Sequence, residues 1–128
     1  MSFCWKDYID LSNTLISSSK NNILEKAYLR TSVSRAYYGV FCIARNYLRD
    51  VKNIQIRSQK THEFVINEFK FSPNLMEYYI GNYLVSLRDE RNKADYEDNY
   101  QIDTSIANLM LTSANQVLRF FQQLGLNF

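Results

Sequence analysis

The chain has 128 residues, a net charge of only +2 and 46% hydrophobic residues, 15% of the total being aromatic. That length makes one domain, residues 1–128, with room for a real core. One Pro and three Gly are too few punctuators for a many-turned β fold and suit long helices.

The opening "MSFCWKDYID" is no signal peptide, because Lys6, Asp7 and Asp10 interrupt its apolar residues. No run of about 18 apolar residues follows anywhere, so no span of a membrane is expected, and the chain reads as soluble and cytoplasmic. A first helix covers roughly Trp5 to Ser17 and is broken by "SSSKNN". The second is long, roughly Ile23 to Val51. Its apolar stripe is Val33, Tyr37, Val40, Ala44, Tyr47 and Val51, alternately four and three residues apart, which is one helical face. Arg35, Tyr38, Cys42 and Arg45 form a second stripe on the other side. A helix striped on two sides is expected to be central, packed between two layers. Gly39 lies beside that second stripe. Gly inside a helix costs roughly 1 kcal/mol, so a close backbone approach is its expected reason.

"KNIQIRSQK" reads as a loop. A short third helix, "THEFVINEFKF", follows with Thr61 or Ser58 as its cap. The fourth, "SPNLMEYYIGNYLVSLRDER", has Ser72 as N-cap and Pro73 at its first position. Leu75, Tyr79, Tyr83 and Leu87, or Met76, Ile80, Leu84 and Leu87, would face inward. The fifth runs from Asp103 or Thr104 to about Leu124, with Ile106, Leu109, Val117, Leu118, Phe121 and Leu124 inside. The fold class is therefore all-α, an up-and-down bundle of about five helices.

Charge is unevenly spread. Lys20 to Lys60 holds nine Lys or Arg against two acids, and Thr61 onward holds five against nine. A basic half suits an anionic partner such as nucleic acid, although on charge alone a solvated helix face is the better reading. Cys4 and Cys42 are far apart and match no metal spacing, so both read as free thiols. One His and scattered acids offer no ligand set for a metal, and no Gly-x-Ser-x-Gly elbow occurs. Arg88 and Arg91 share a face with Leu84 and Leu87. There they read as rim cations at a helix C-terminus, each favoured by roughly 0.3–1 kcal/mol or paired with Asp89, Glu90 and Asp95. Loss of a rim Arg would leave the fold intact.

Three segments add a resemblance. "SVSRAYYGVFCIARNYL" (Ser32 to Leu48) is similar to the central helix of HEPN-domain proteins, with its Arg-Ala-Tyr-Tyr core. "SQKTHEF" (Ser58 to Phe64) and "LRDERNKADYED" (Leu87 to Asp98) resemble a bacterial and archaeal subfamily that carries a Lys-Ser/Thr-His step and then Leu-Arg-x-x-Arg-x-x-Ala-Asp-Tyr. The three come in family order, and the last is the most specific. The first and fifth helices match only as generic helices. The resemblance implies a small helical bundle that forms a homodimer. It also implies a metal-independent endoribonuclease, with no cofactor, acting as a toxin or phage-defence effector. A nucleotidyltransferase antitoxin is the implied partner.

The family's catalytic motif is an Arg, a polar residue and, after a short spacer, a His, with two copies meeting in one cleft. Arg91 matches the Arg and Asn92 the polar residue. No His follows: its positions hold Tyr96, Glu97 and Asp98. RNA cleavage through the 2′-OH needs a base, a stabiliser for the phosphorane and an acid. Arg91 is suited to the stabilising role. Tyr96 could donate a proton, but the reference value of about 10 for a phenol makes it a poor base. His62, the sole histidine, reads first as a helix-start residue bonded to a neighbouring loop. Its second reading is a replacement in space for the missing motif His. Arg88, Arg35 and Arg45 are the expected phosphate contacts, and Asp95 a supporting residue. Arg35 and Tyr38 read more readily as a buried hydrogen-bonded pair than as substrate contacts. In related toxins whose motif ends in His-x-Tyr, the partner adds AMP to that Tyr. The equivalent position here is Asp98, which leaves Tyr96 and Tyr100, expected to be exposed, as the residues open to modification. Three functions stay open: the ribonuclease, a non-catalytic module that binds RNA or nucleotide or docks a nucleotidyltransferase, and a helical adaptor without a nucleic-acid role.

Overall fold

The computed structural model describes residues 2–128. Five helices follow in order: α1 (Lys6–Ser19), α2 (Glu25–Asp50), α3 (Thr61–Lys70), α4 (Leu75–Tyr96) and α5 (Thr104–Gln123). The described residues hold no strand, and the fold is an all-α bundle. α2 is its axis and lies against all four other helices. Asn21 and Asn53, both left-handed (φ 60° and 55°), turn the chain after α1 and α2, a conformation that Asn tolerates better than most residues.

The first stripe of α2 is core: Val33, Tyr37, Val40, Ala44 and Tyr47 are buried, while Val51 is exposed. The second stripe is answered within the chain. α1 lies along it, and a Cβ on Gly39 would stand 2.7 Å from Ile9 Cγ1 and 3.1 Å from the Trp5 carbonyl oxygen. The same seam holds the Ser12 hydroxyl, which donates to the Ser32 carbonyl at 2.8 Å. The guanidinium of Arg35 sits over Tyr8 and that of Arg45 over Trp5. The second stripe is therefore covered within the chain, mainly by α1, with Tyr38 meeting His62 of α3 and Arg91 of α4.

Tyr47, Phe69 and Phe121 close the other end of the core, with ring centroids 5.3–5.8 Å apart, joining α2, α3 and α5. Fully burying such a ring contributes about 1.5–3 kcal/mol. On α4 the second of the two expected faces is the inner one: Ile80, Leu84 and Leu87 are buried, and Leu75 and Tyr79 are exposed. On α5, Leu109 is exposed, contrary to expectation, and Ala107, Met110 and Ala114 take the inner positions.

Helix starts differ from the sequence reading. Asn74, not Ser72, caps α4 by accepting from the Glu77 N–H at 3.0 Å. Ser72 instead accepts from the Asn74 N–H and donates to Glu77. Lys60, left-handed and without a side-chain cap, precedes α3, while the Thr61 hydroxyl donates to the Arg57 carbonyl. Helix α4 also continues to Tyr96, so the Arg-Asn-Lys-Ala-Asp-Tyr segment is helical.

Gly81 sets how closely α3 and α4 meet. A Cβ there would lie 2.5 Å from the Lys70 backbone nitrogen, and backbone yields less readily than a side-chain tip. Gly81→Ala is expected to cost about 1–3 kcal/mol by overpacking, although Ala is the better helix former. An unfolding midpoint in urea equal to or above wild type would show that α3 shifts freely.

Candidate functional site

Three helices bring polar groups together. α2 supplies Ser34, Arg35, Tyr37 and Tyr38, the first turn of α3 supplies His62, and α4 supplies Arg88, Arg91 and Asp95. On α4 these last residues continue the face of Leu84 and Leu87, because steps of three and four stay on one side of a helix.

Arg91 is not a rim residue: it is only 6% exposed. Its guanidinium lies 5.1 Å from the Tyr37 ring centroid and 5.0 Å from that of Tyr38. Among the described residues its one ion-pair partner is Asp95, with Nη1 3.9 Å from Oδ2, beyond hydrogen-bond distance. The Nε atoms of both Arg91 and Arg88 are buried without a hydrogen-bond partner. Asp95 also accepts from the Ser34 hydroxyl at 3.2 Å, and Ser34 accepts from Arg35 at 3.2 Å. Asp95 thus meets Arg91 directly and Arg35 only through the Ser34 hydroxyl.

His62 stands against this cluster. Its Nδ1 and the Tyr37 hydroxyl share a hydrogen bond of 2.6 Å. Its ring stacks on Phe41, with centroids 4.0 Å apart and planes 10° from parallel, and meets Tyr38 edge-on. The partner is thus a residue of α2 and not a neighbouring loop. Burial, then the charges of Arg91 and Arg88, push the imidazole from its ordinary 6.5 down to about 4. Burial also pushes the Tyr37 hydroxyl well above its usual value, against the opposing pull of Arg88 and Arg91. At neutral pH the imidazole is neutral and the phenol keeps its proton.

The structure leaves other expected residues outside. Asn92 is exposed and lies about 100° around α4 from Arg91. Tyr96, 74% exposed, is about 140° away on that projection. Neither shares the face that carries Arg91. Arg45 is roughly 15 Å along α2 from Arg35 and bonds Asn46. Arg35 and Tyr38 are half-buried and meet as cation over ring, 5.1 Å apart, without the expected hydrogen bond. Tyr100 is half-buried rather than exposed, and its hydroxyl donates to Glu90 at 2.5 Å. Burial, then that carboxylate, push the hydroxyl well above its ordinary value.

Two contributors were invisible in the sequence reading. Tyr37 was assigned to the core stripe for its ring, and its hydroxyl was overlooked. Arg30 donates to the carbonyls of Ala94, Asp98 and Tyr100 and so fixes the end of α4. A basic pair one turn apart, Lys26 and Arg30, was the available signal; Lys26 donates to the Ile102 carbonyl beside it.

Chemically, two guanidinium groups with partnerless Nε atoms are suited to an anion. Burying a guanidinium without close partners costs several kcal/mol, and a phosphate oxygen between Arg88 and Arg91 offsets that cost with charge-assisted hydrogen bonds. Among the described residues no group of three His, Cys, Asp or Glu side chains is placed to hold a metal ion, and no helix is long and apolar enough to cross a membrane. No protein-family model and no curated protein matches the chain. What fold and site define together is a five-helix all-α domain with a cationic cluster, centred on the buried Arg91 and flanked by half-buried Arg35 and Arg88, beside a neutral histidine.

Proposed function

We propose that the chain is a metal-independent endoribonuclease of HEPN type, acting as a homodimer and serving as a toxin or phage-defence effector. The observation that carries this reading is the meeting of His62 with Arg88 and Arg91. The histidine missing from its motif position is replaced in space by one contributed by another helix. In the cleavage step the 2′-oxygen bonds to phosphorus as its proton passes to solvent water, and the P–O5′ bond breaks as the 5′-oxygen takes a proton from solvent water, with His62 donating a hydrogen bond to the phosphoryl group. Arg88 and Arg91 hold the added charge of the phosphorane, the interaction that matters most in the transition state. The dimer and the nucleotidyltransferase partner rest on the family resemblance alone. Tyr96, fully in reach of solvent, is the tyrosine such a partner would modify.

A second reading is a non-catalytic module that binds RNA or a nucleotide. It is favoured by Asn92 and Tyr96 being turned away from Arg91. Cleavage of a labelled RNA pool by purified protein in EDTA separates the two, with growth arrest on induced expression as a parallel measure. The ribonuclease reading expects cleavage by wild type and its loss in Arg88→Gln. If both proteins are inert and wild type alone retains labelled RNA on a filter, the binding module is correct.

A further inference from the structure

We infer that His62, fixed by Tyr37 with its hydrogen on Nε2, joins Arg88 and Arg91 as the third donor of a site for one phosphate group, complete within a single protomer. The inference rests on the proposed phosphate chemistry of the cluster, not on cleavage.

The tautomer follows from burial and partners. Tyr37 is 0% exposed, so its hydroxyl has no water to bond. Among the described residues its hydrogen-bond partner is His62 Nδ1, at 2.6 Å. If Nδ1 carried the hydrogen, the phenolic O–H would be buried with nothing to accept it, which is costly. The phenol therefore donates and Nδ1 accepts. A neutral imidazole with an accepting Nδ1 carries its hydrogen on Nε2. The ring cannot turn cheaply, because one face is stacked on Phe41. Tyr37 is thus a positioning residue: it acts on the ligand only through His62.

The charges around the ring point the same way. From α2 it meets Tyr37 and Tyr38, and from α4 it feels Arg88 and Arg91, the latter loosely paired with Asp95 at 3.9 Å. Its place in the first turn of α3 adds the positive end of that helix. The two guanidinium groups and the helix end oppose a protonated imidazole and favour an anion, against the single carboxylate of Asp95. The partnerless Nε atoms of Arg88 and Arg91 lie in the same cluster. A bound anion would cancel the repulsion that holds the imidazole neutral, so binding and protonation of His62 are linked.

The single histidine makes this directly observable. In protein labelled with 15N-histidine, long-range proton–nitrogen spectra report which ring nitrogen carries hydrogen. The probe is sodium sulfate, a tetrahedral dianion, exchanged for sodium chloride at constant ionic strength. At neutral pH without sulfate, the Nε2–H form is expected. With sulfate, the His62 titration midpoint should rise by about 1–3 pH units, the scale set by an opposite charge at close range. The Arg88→Gln, Arg91→Gln double variant should show no sulfate response. Tyr37→Phe should give mixed tautomers while the protein stays folded. An Nδ1–H imidazole in wild type, a midpoint indifferent to sulfate, or an equal response in the double variant would each overturn the site. Unchanged Nε2–H in Tyr37→Phe would remove Tyr37 from it. Because no readout uses RNA cleavage, a protein that passes here and cleaves nothing sinks the ribonuclease reading alone.

Discussion

Replacing Arg91 with Met is expected to make the protein more resistant to heat while lowering RNA cleavage by about 10²-fold or more, the scale of losing one preorganised charge stabiliser. Ordinary rim arginines do not behave this way, and the difference lies in burial. Arg91 gains two cation–π contacts, worth about 0.5–2 kcal/mol each, and a loose pairing with Asp95 at 3.9 Å. Against these stands the cost of desolvating a guanidinium, several kcal/mol per ion. Met keeps the length of the stem and makes sulfur–aromatic contacts of about 0.3–1.5 kcal/mol with the same two rings. Asp95 loses little, since Ser34 still donates to it. The balance favours Met by about 1 kcal/mol or more. Thermal unfolding and the EDTA cleavage assay on the same preparation check both halves. A variant that is less stable by several kcal/mol would mean that Arg91 is a structural strut, and the anion site would lose its strongest argument.

The sequence carried the helices because their signals are local. The stripe from Val33 to Tyr47, Asp103 before α5 and the scarcity of Pro and Gly each act within one or two turns. Helix α4 was cut short because a dense run of charges after Leu87 looks like an ending. In the fold, Arg91 and Ala94 continue the buried face, and Arg30 donates to the carbonyls of Ala94 and Tyr100. The site was half legible. Arg91 and His62 stood out as residue types, but their meeting depends on pairings far apart in the chain. Tyr37 and His62 are separated by 25 residues and Tyr47 and Glu77 by 30, and such distances leave no periodic trace. The second stripe of α2 was read correctly as a contact surface, yet nothing in its spacing says whether α1 or another molecule covers it.

Glu77 shows the same limit from the stability side, and its loss is expected to be the most damaging single change away from the site. It is a carboxylate at 3% exposure that no sequence pattern singles out. Tyr47 donates to it at 2.7 Å, Ser72 at 2.8 Å and Lys52 at 3.2 and 3.3 Å. It therefore joins α2, the loop after α2 and the turn before α4. Burial alone would raise its pKa, but the hydrogen bonds from Tyr47, Ser72 and Lys52 outweigh burial and hold it below the ordinary 4.5. Glu77→Ala strands the buried Tyr47 hydroxyl and frees Lys52. The expected cost is about 3–5 kcal/mol, the range for removing one partner of a buried ionic network. For a chain of this length that lowers the melting temperature by roughly 10–20 °C. The sign with pH follows from a depressed carboxylate. Its stabilisation is fully present above 4.5 and is lost as pH falls through the folded pKa, so the gap between wild type and Glu77→Ala should narrow in acid. Position separates this effect from function. Glu77 lies roughly 17–21 Å along α4 from Arg88 and Arg91, so the sulfate response of His62 should survive in Glu77→Ala at temperatures where it is folded. A cost under about 1 kcal/mol, typical of an exposed ion pair, would show that Glu77 is satisfied by solvent and that the network does not bind the helices together.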